Sequence, residues 1–128
     1  MTVTLSVRGI EPHKGMLDSF GGFVDVEESY EDAVYRELHE ELGIEKHEYT
    51  NPVYLRSAVG HYSYESETLT VVSNFYWIEL IGMAKLVAGD DVENTVTIPL
   101  GEVELSKLHD DDVRAGIIEL LKQLEASK

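Results

Sequence analysis

Apolar and polar positions alternate along the first eight residues. Val3, Leu5 and Val7 fall between Thr2, Thr4 and Ser6, and Arg8-Gly9 closes the run, a period of two that predicts a strand. The alternation is lost over residues 11–22, where Pro12, Gly15 and the Gly21-Gly22 pair predict a loop with tight turns and one short extended segment. Phe23, Val24 and Val26 are expected to continue that segment or to anchor it in the core. From Ser29 the period changes. Tyr30, Val34, Leu38 and Leu42 recur every fourth residue with Ala33 beside them, which is one stripe of a helix. Ser29 and Asp32 have capping-box spacing, and Gly43 suits the left-handed residue that ends a helix.

Beyond the Asn51-Pro52 break, residues 53–64 and 69–80 are rich in aromatic and β-branched side chains and flank a polar Glu65-Ser66-Glu67 turn, so they read as successive strands. Gly89-Asp90-Asp91 predicts a further turn, residues 95–98 a short strand before Pro99, and residues 103–108 a short helix. Residues 113–124 form a stronger helix, with Val113, Ile117, Leu120, Leu121 and Leu124 on a broad apolar face and Asp110 to Asp112 favouring its amino end. The chain of 128 residues has room for one core, and no repeat or long linker divides it, so residues 1–128 are read as a single α/β layered domain. These patterns leave strand order open.

Charge narrows the function. Twenty-five acidic residues against ten basic ones give a formal charge of −15, yet 43% apolar residues mark a folding chain rather than a disordered acidic segment. Such a field repels nucleic acid polymers and anionic membranes. A small phosphorylated substrate stays compatible if a divalent cation reverses the local field. Cysteine is absent, which removes disulfides, thiolate catalysis and cysteine-held metals and suits a reducing cytosol. The start lacks the pattern of a secretion signal, and no apolar run is long enough for a spanning helix, so a cytoplasmic location is expected. Neither a Walker loop nor a Rossmann glycine fingerprint is present.

On the helix after Ser29, Glu37, Glu40 and Glu41 are three and four residues apart, which places three carboxylates on adjoining parts of one face. Like charges at that spacing cost about 0.2–0.5 kcal/mol per pair. A hard, oxygen-ligated cation relieves the repulsion, and Mg2+ or Mn2+ suits carboxylates. Glu28 adds a fourth if its loop folds back. Arg36 lies four residues from both Asp32 and Glu40, so it can pair with either. From the helix alone, a solvated acidic face is the plainer alternative.

The composite pattern Gly22-x5-Glu28-x7-Arg36-Glu37-Leu38-x-Glu40-Glu41-x-Gly43-Ile44 resembles the signature of the Nudix hydrolase family at every specified position. The resemblance implies an α/β/α sandwich around a mixed central sheet. It also implies Mg2+, or Mn2+, held by Glu37, Glu40 and Glu41, with the Gly21 carbonyl and Glu28 in support and Arg36 orienting a carboxylate. The implied reaction is hydrolysis of a diphosphate linkage in a nucleoside-diphosphate-linked compound such as a sugar nucleotide or dinucleotide. Glu40 or Glu41 would accept the proton of the attacking water. Relatives add an acid from a later loop, for which Asp91 is the nearest match and Glu93 the substitute.

The chain departs from that pattern in three places. Phe20 stands where relatives often have proline, Glu27 replaces a common glycine, and residues 3–8 match the second strand of the family's opening hairpin, so the usual first strand is missing. An exposed sheet edge is expected to be covered by a second copy, giving a homodimer. Two readings of another class follow: a catalytically weak nucleotide-binding regulatory dimer, and a structural interaction protein. His61, Tyr62 and Tyr64 are candidates to line a nucleotide pocket, against the simpler reading of a strand surface. Phe75, Tyr76 and Trp77 are expected to supply core. Arg8, Lys14 and Arg56 are candidate phosphate contacts, each with a plain surface alternative. His39 suits a surface or supporting hydrogen bond, and His13, His47 and His109 are too scattered in sequence to suggest a metal site.

Overall fold

The computed structural model describes residues 1–81 and 94–127. Strand β1 (Thr2–Val7) follows from the opening alternation, and Leu5 is its inward residue. It pairs antiparallel along its whole length with β5 (Asn94–Pro99), from Thr2↔Pro99 to Val7↔Asn94. On its other side it meets the two-residue β2 (Leu17–Asp18) through Ser6↔Asp18 and Val7↔Leu17. The intervening loop is closed by Arg8 N–H donating to the Met16 carbonyl and Gly15 N–H to that of Arg8, at 2.9 and 2.8 Å.

Strands β3 (Val53–Tyr64) and β4 (Glu67–Trp77) form a second, two-stranded sheet. Their register runs from Val53↔Trp77 to Tyr64↔Glu67, shifted once between Tyr54 and Arg56. Glu65 and Ser66 both take positive φ, 48° and 68°, which is the turn a two-residue hairpin requires.

Helix α1 (Tyr30–Leu42) begins where the Ser29 hydroxyl accepts from Asp32 N–H and ends at Gly43, φ 68°. Its buried Leu38 and Leu42 pack with Ile44 and Tyr49, against Phe20, Ile78 and Leu80. Helix α2 (Asp111–Ala126) is capped by the Asp110 side chain on Val113 N–H. Its Val113 and Ile117 close a second cluster with Leu5 and the fully buried Leu108, against Val3, Phe75 and Val96. The two helices and two sheets of the described residues make the expected α/β/α sandwich. Its ladders are antiparallel, and a parallel bridge joins Leu17 to Leu108.

The structure changes several expectations. Phe23 and Val26 neither extend a strand nor anchor the core: they are 75% and 94% exposed, because residues 19–29 are drawn toward the polar face of α1 by Arg36. The short helix expected over 103–108 is a 3-10 turn at Leu105–Lys107, preceded by another at Leu100–Glu102. Strand β1 has neighbours on both sides, although β2 covers only its last two residues. The predicted 89–91 turn, Asp91 and Glu93 lie outside the described residues. Among the described residues no helix is long and apolar enough to cross a membrane.

Candidate active site on helix α1

The same helix period that buries Leu38 and Leu42 turns Arg36, Glu37, Glu40 and Glu41 toward the loop before it. Arg36 is the hub. Its Nε and Nη2 donate to the two oxygens of Glu28 at 2.9 and 3.0 Å, a bidentate fork. Its Nη1 donates to Glu37 Oε1 at 2.9 Å and to Glu40 Oε2 at 3.2 Å. Nη2 also reaches the Phe23 carbonyl at 2.9 Å, and Asp25 Oδ2 lies 3.3 Å from Nε. One guanidinium thus draws together four carboxylates from the loop and the helix. Of its two helical neighbours, Arg36 takes Glu40.

These contacts set the protonation states. The Arg36 fork, aided by the Asp25 N–H at 3.0 Å, holds the Glu28 carboxyl below its usual range. Reciprocally, Glu28 above all, then Glu37, raises the affinity of Arg36 for its proton. The fork thus favours the charged form at both of its ends.

The double glycine provides space. A Cβ at Gly22 would collide with Glu37 Oε1 and lie 3.0 Å from its Cδ, so a larger residue there must push this carboxylate aside. Gly21, at φ 154°, donates its N–H to Glu41 Oε2 at 3.0 Å. Glu37 and Glu41, one turn apart, therefore both meet the loop, while Glu40 is turned to Arg36. Among the described residues, no three His, Asp or Glu side chains stand grouped so as to hold an ion. The donor chemistry nevertheless suits a hard divalent cation: carboxylate oxygens only, against a backbone cradle with no side chain.

Beside Gly21 and Glu41 opens a cavity of about 180 Å3, walled also by Ser6, Arg8 and Asp18. Arg8 is the one of the three candidate phosphate contacts placed there, held by Asp18 at 3.0 Å and the Pro12 carbonyl at 2.9 Å. Lys14 lines a separate groove with Lys107, and Arg56 sits in β3 opposite Phe75. His61 and Tyr62 are exposed on the far half of the hairpin, and the side chain of Tyr64 lies outside the described set. Phe75 packs on the α2 core as expected. Tyr76 meets Tyr54 edge to face, and Trp77 donates to Gln123 at 3.2 Å. His39 pairs with Glu45 at 2.8 Å, a surface role. Two participants went unread in the sequence: Asp25 and the Phe23 carbonyl. The spacing of Asp25 three residues before Glu28 is the local signal that brings its N–H onto that carboxylate.

A loop with paired glycines feeding an arginine-organised carboxylate helix, within an α/β/α sandwich, defines the Nudix class of hydrolase. The family model for the NUDIX domain matches residues 3–121, and the chain belongs to that family. Membership carries its general chemistry, hydrolysis of a diphosphate linkage in a nucleotide-linked compound. No curated protein matches the chain. Among solved structures, an Ap4A hydrolase of C. elegans in a binary complex is similar at 16% identity and a TM-score of 0.75, over 98% of this chain and 87% of that one. A MutT NUDIX hydrolase of Burkholderia pseudomallei is similar at 22% identity and 0.67, over 93% and 88%. The Francisella tularensis bifunctional NMN adenylyltransferase/ADP ribose pyrophosphatase, complexed with AMP and a manganese ion, gives 21% and 0.61, over 95% of this chain and 38% of that one. At these identities the likeness is one of fold.

Proposed function

We propose that the chain is a divalent-metal-dependent pyrophosphohydrolase that cleaves a nucleoside diphosphate joined to another group, a sugar nucleotide or a dinucleotide. The observation that carries this reading is the carboxylate set of Glu28, Glu37, Glu40 and Glu41, gathered by Arg36 and Gly21 in a NUDIX chain. Glu37, Glu40 and Glu41 would hold Mg2+, or Mn2+, with Glu28 and Gly21 in support and Asp91 as the later acid. The bound cation supplies charge neutralisation at the phosphate oxygens and a more acidic water. Arg36 holds Glu28, Glu37 and Glu40 in position by hydrogen bonds, and Glu40 or Glu41 accepts the proton of the attacking water. Arg8, on the wall of the adjoining cavity, suits a phosphate beyond the scissile bond.

Turnover of ADP-ribose, NADH, dinucleoside polyphosphates and nucleoside triphosphates with Mg2+ and with Mn2+ tests the reading. Cleavage of at least one diphosphate-linked compound is expected, and no turnover by folded, metal-supplied protein rejects it. Glu40→Gln and Glu41→Gln should each lower the rate about tenfold or more, the lower end of what a positioned proton acceptor contributes. Unchanged rates and metal dependence in both would remove these residues from the mechanism. The altered loop, with Phe20 and Glu27 in place of proline and glycine, favours one rival, a weakly catalytic nucleotide-binding regulatory dimer, which direct binding without turnover would support. Pairing of two copies along the part of β1 that β2 leaves uncovered accompanies either reading. A molecular mass by light scattering that stays monomeric at all concentrations would refute that pairing.

A further inference from the structure

Two histidines that lie 96 residues apart in sequence meet on the side of the molecule formed by the 9–16 loop and the start of α2. His13 Nδ1 and His109 Nδ1 are 2.9 Å apart, with ring centroids at 5.0 Å and planes inclined by 65°. His13 is exposed, on a residue with φ 63°, whereas the His109 side chain is only 18% exposed. The backbone fixes both. His109 N–H donates to the Leu17 carbonyl at 2.7 Å, and the His13 carbonyl accepts from Met16 N–H at 3.0 Å.

From this geometry we propose that His13 and His109 form a site for a first-row transition-metal cation of imidazole preference, separate from the carboxylates of α1. Two nitrogens each about 2.0–2.1 Å from an ion, and at right angles to one another, stand about 2.9 Å apart. The shared hydrogen bond already holds the two nitrogens at that separation, so both rings need only turn until their Nδ1 lone pairs converge on one ion, with water in the remaining positions. Without an ion, one Nδ1 carries the proton of the shared hydrogen bond. Either ring can be the donor of that bond, and the Asp110 carboxylate stands 3.7 Å from His109 Nε2. On binding, the proton of that bond moves from Nδ1 to Nε2 of the same ring with no net change in charge, and the exposed His13 ring turns off the shared axis to admit the ion. The ion then ties the 9–16 loop to α2. Arg8, Gly9 and Ile10, which wall the cavity beside Glu41, lie at the base of that loop.

Calorimetric titration of the whole chain with Ni2+, in saturating Mg2+ so that the α1 carboxylates are occupied, is the test. The wild type should take up one Ni2+ with a rise in melting temperature. His13→Gln should weaken that uptake about tenfold or more, as loss of an imidazole ligand exceeds loss of a supporting group. His61→Gln, on the exposed hairpin, should bind as the wild type does. Melting curves in Mg2+ alone establish that each variant is folded. Absence of a Mg2+-insensitive Ni2+ site in the wild type, equal affinity in His13→Gln, or equal weakening in His61→Gln would overturn the proposal. These outcomes do not depend on diphosphate hydrolysis.

Discussion

At the scale of single residues, the loop before α1 contains one glycine pressed against a carboxylate and one non-glycine in a glycine's conformation. Gly22 passes so close to Glu37 that a methyl group must displace the carboxylate. Gly22→Ala should therefore lower turnover about tenfold or more while the fold persists, because a misplaced reacting group costs far more in rate than in stability. Steady-state kinetics beside a melting curve separates the two. Glu27 is the converse: it holds φ 68° with a side chain. A left-handed L-residue costs about 1–2 kcal/mol, partly offset by the entropy that glycine restores to the unfolded chain. Glu27→Gly should then raise the melting temperature by about 2–4 °C, and a lowered value would show that Glu27 has a stabilising partner. The sequence announced both positions, the first by its double glycine and the second as a departure from the family pattern. It did not announce that Phe23 offers its carbonyl to Arg36 and leaves its ring in solvent, because composition reports side-chain preference and the loop here is held through its backbone.

At the scale of elements, what could be read depended on how local the determining forces are. Helix α1 was legible to within a residue, since its stripe, its Ser29 cap and its Gly43 stop are all encoded within fifteen positions. Ser29→Ala removes the acceptor for Asp32 N–H and should destabilise the protein by about 1 kcal/mol. Chemical denaturation would measure it, and an unchanged midpoint would mean that tertiary packing alone holds the first turn. The β3–β4 hairpin was legible for the same reason, its turn and its alternation being contiguous. The pairing of β1 with β5 was not, because its partners are more than 85 residues apart and nothing local records their register. In the site, the spacing on α1 placed the acids on one face, but whether they met a metal ion or a neighbouring cation depended on a loop whose path the spacing does not contain. The His13–His109 contact is a stronger case of the same limit.

At the scale of the whole molecule, charge governs behaviour at both ends of the pH range. The folded-state pKa of Glu28 is depressed, chiefly by Arg36, so its contribution is fully present above the unfolded carboxylate range and is lost as pH falls through the depressed value. Burial raises the Tyr49 phenol, which sits in the α1 core, and to a lesser depth that of Tyr76. Their contribution is complete below the ordinary tyrosine pKa and is lost as pH rises through the elevated one. Stability against pH should thus fall in acid and again in strong alkali. Melting temperatures across that range, for the wild type and Glu28→Gln, test the acid arm: Glu28→Gln should flatten it, and an unaltered arm would place the sensitivity elsewhere.

The ion pairs of Arg36 have one more consequence. In this chain a covalently attached cation gathers the negative charges of the helix and its loop, so the fold need not wait for a divalent ion to hold them together. On the metal-dependent reading proposed above, protein folded without the ion would be complete but idle, and cation supply would set its activity.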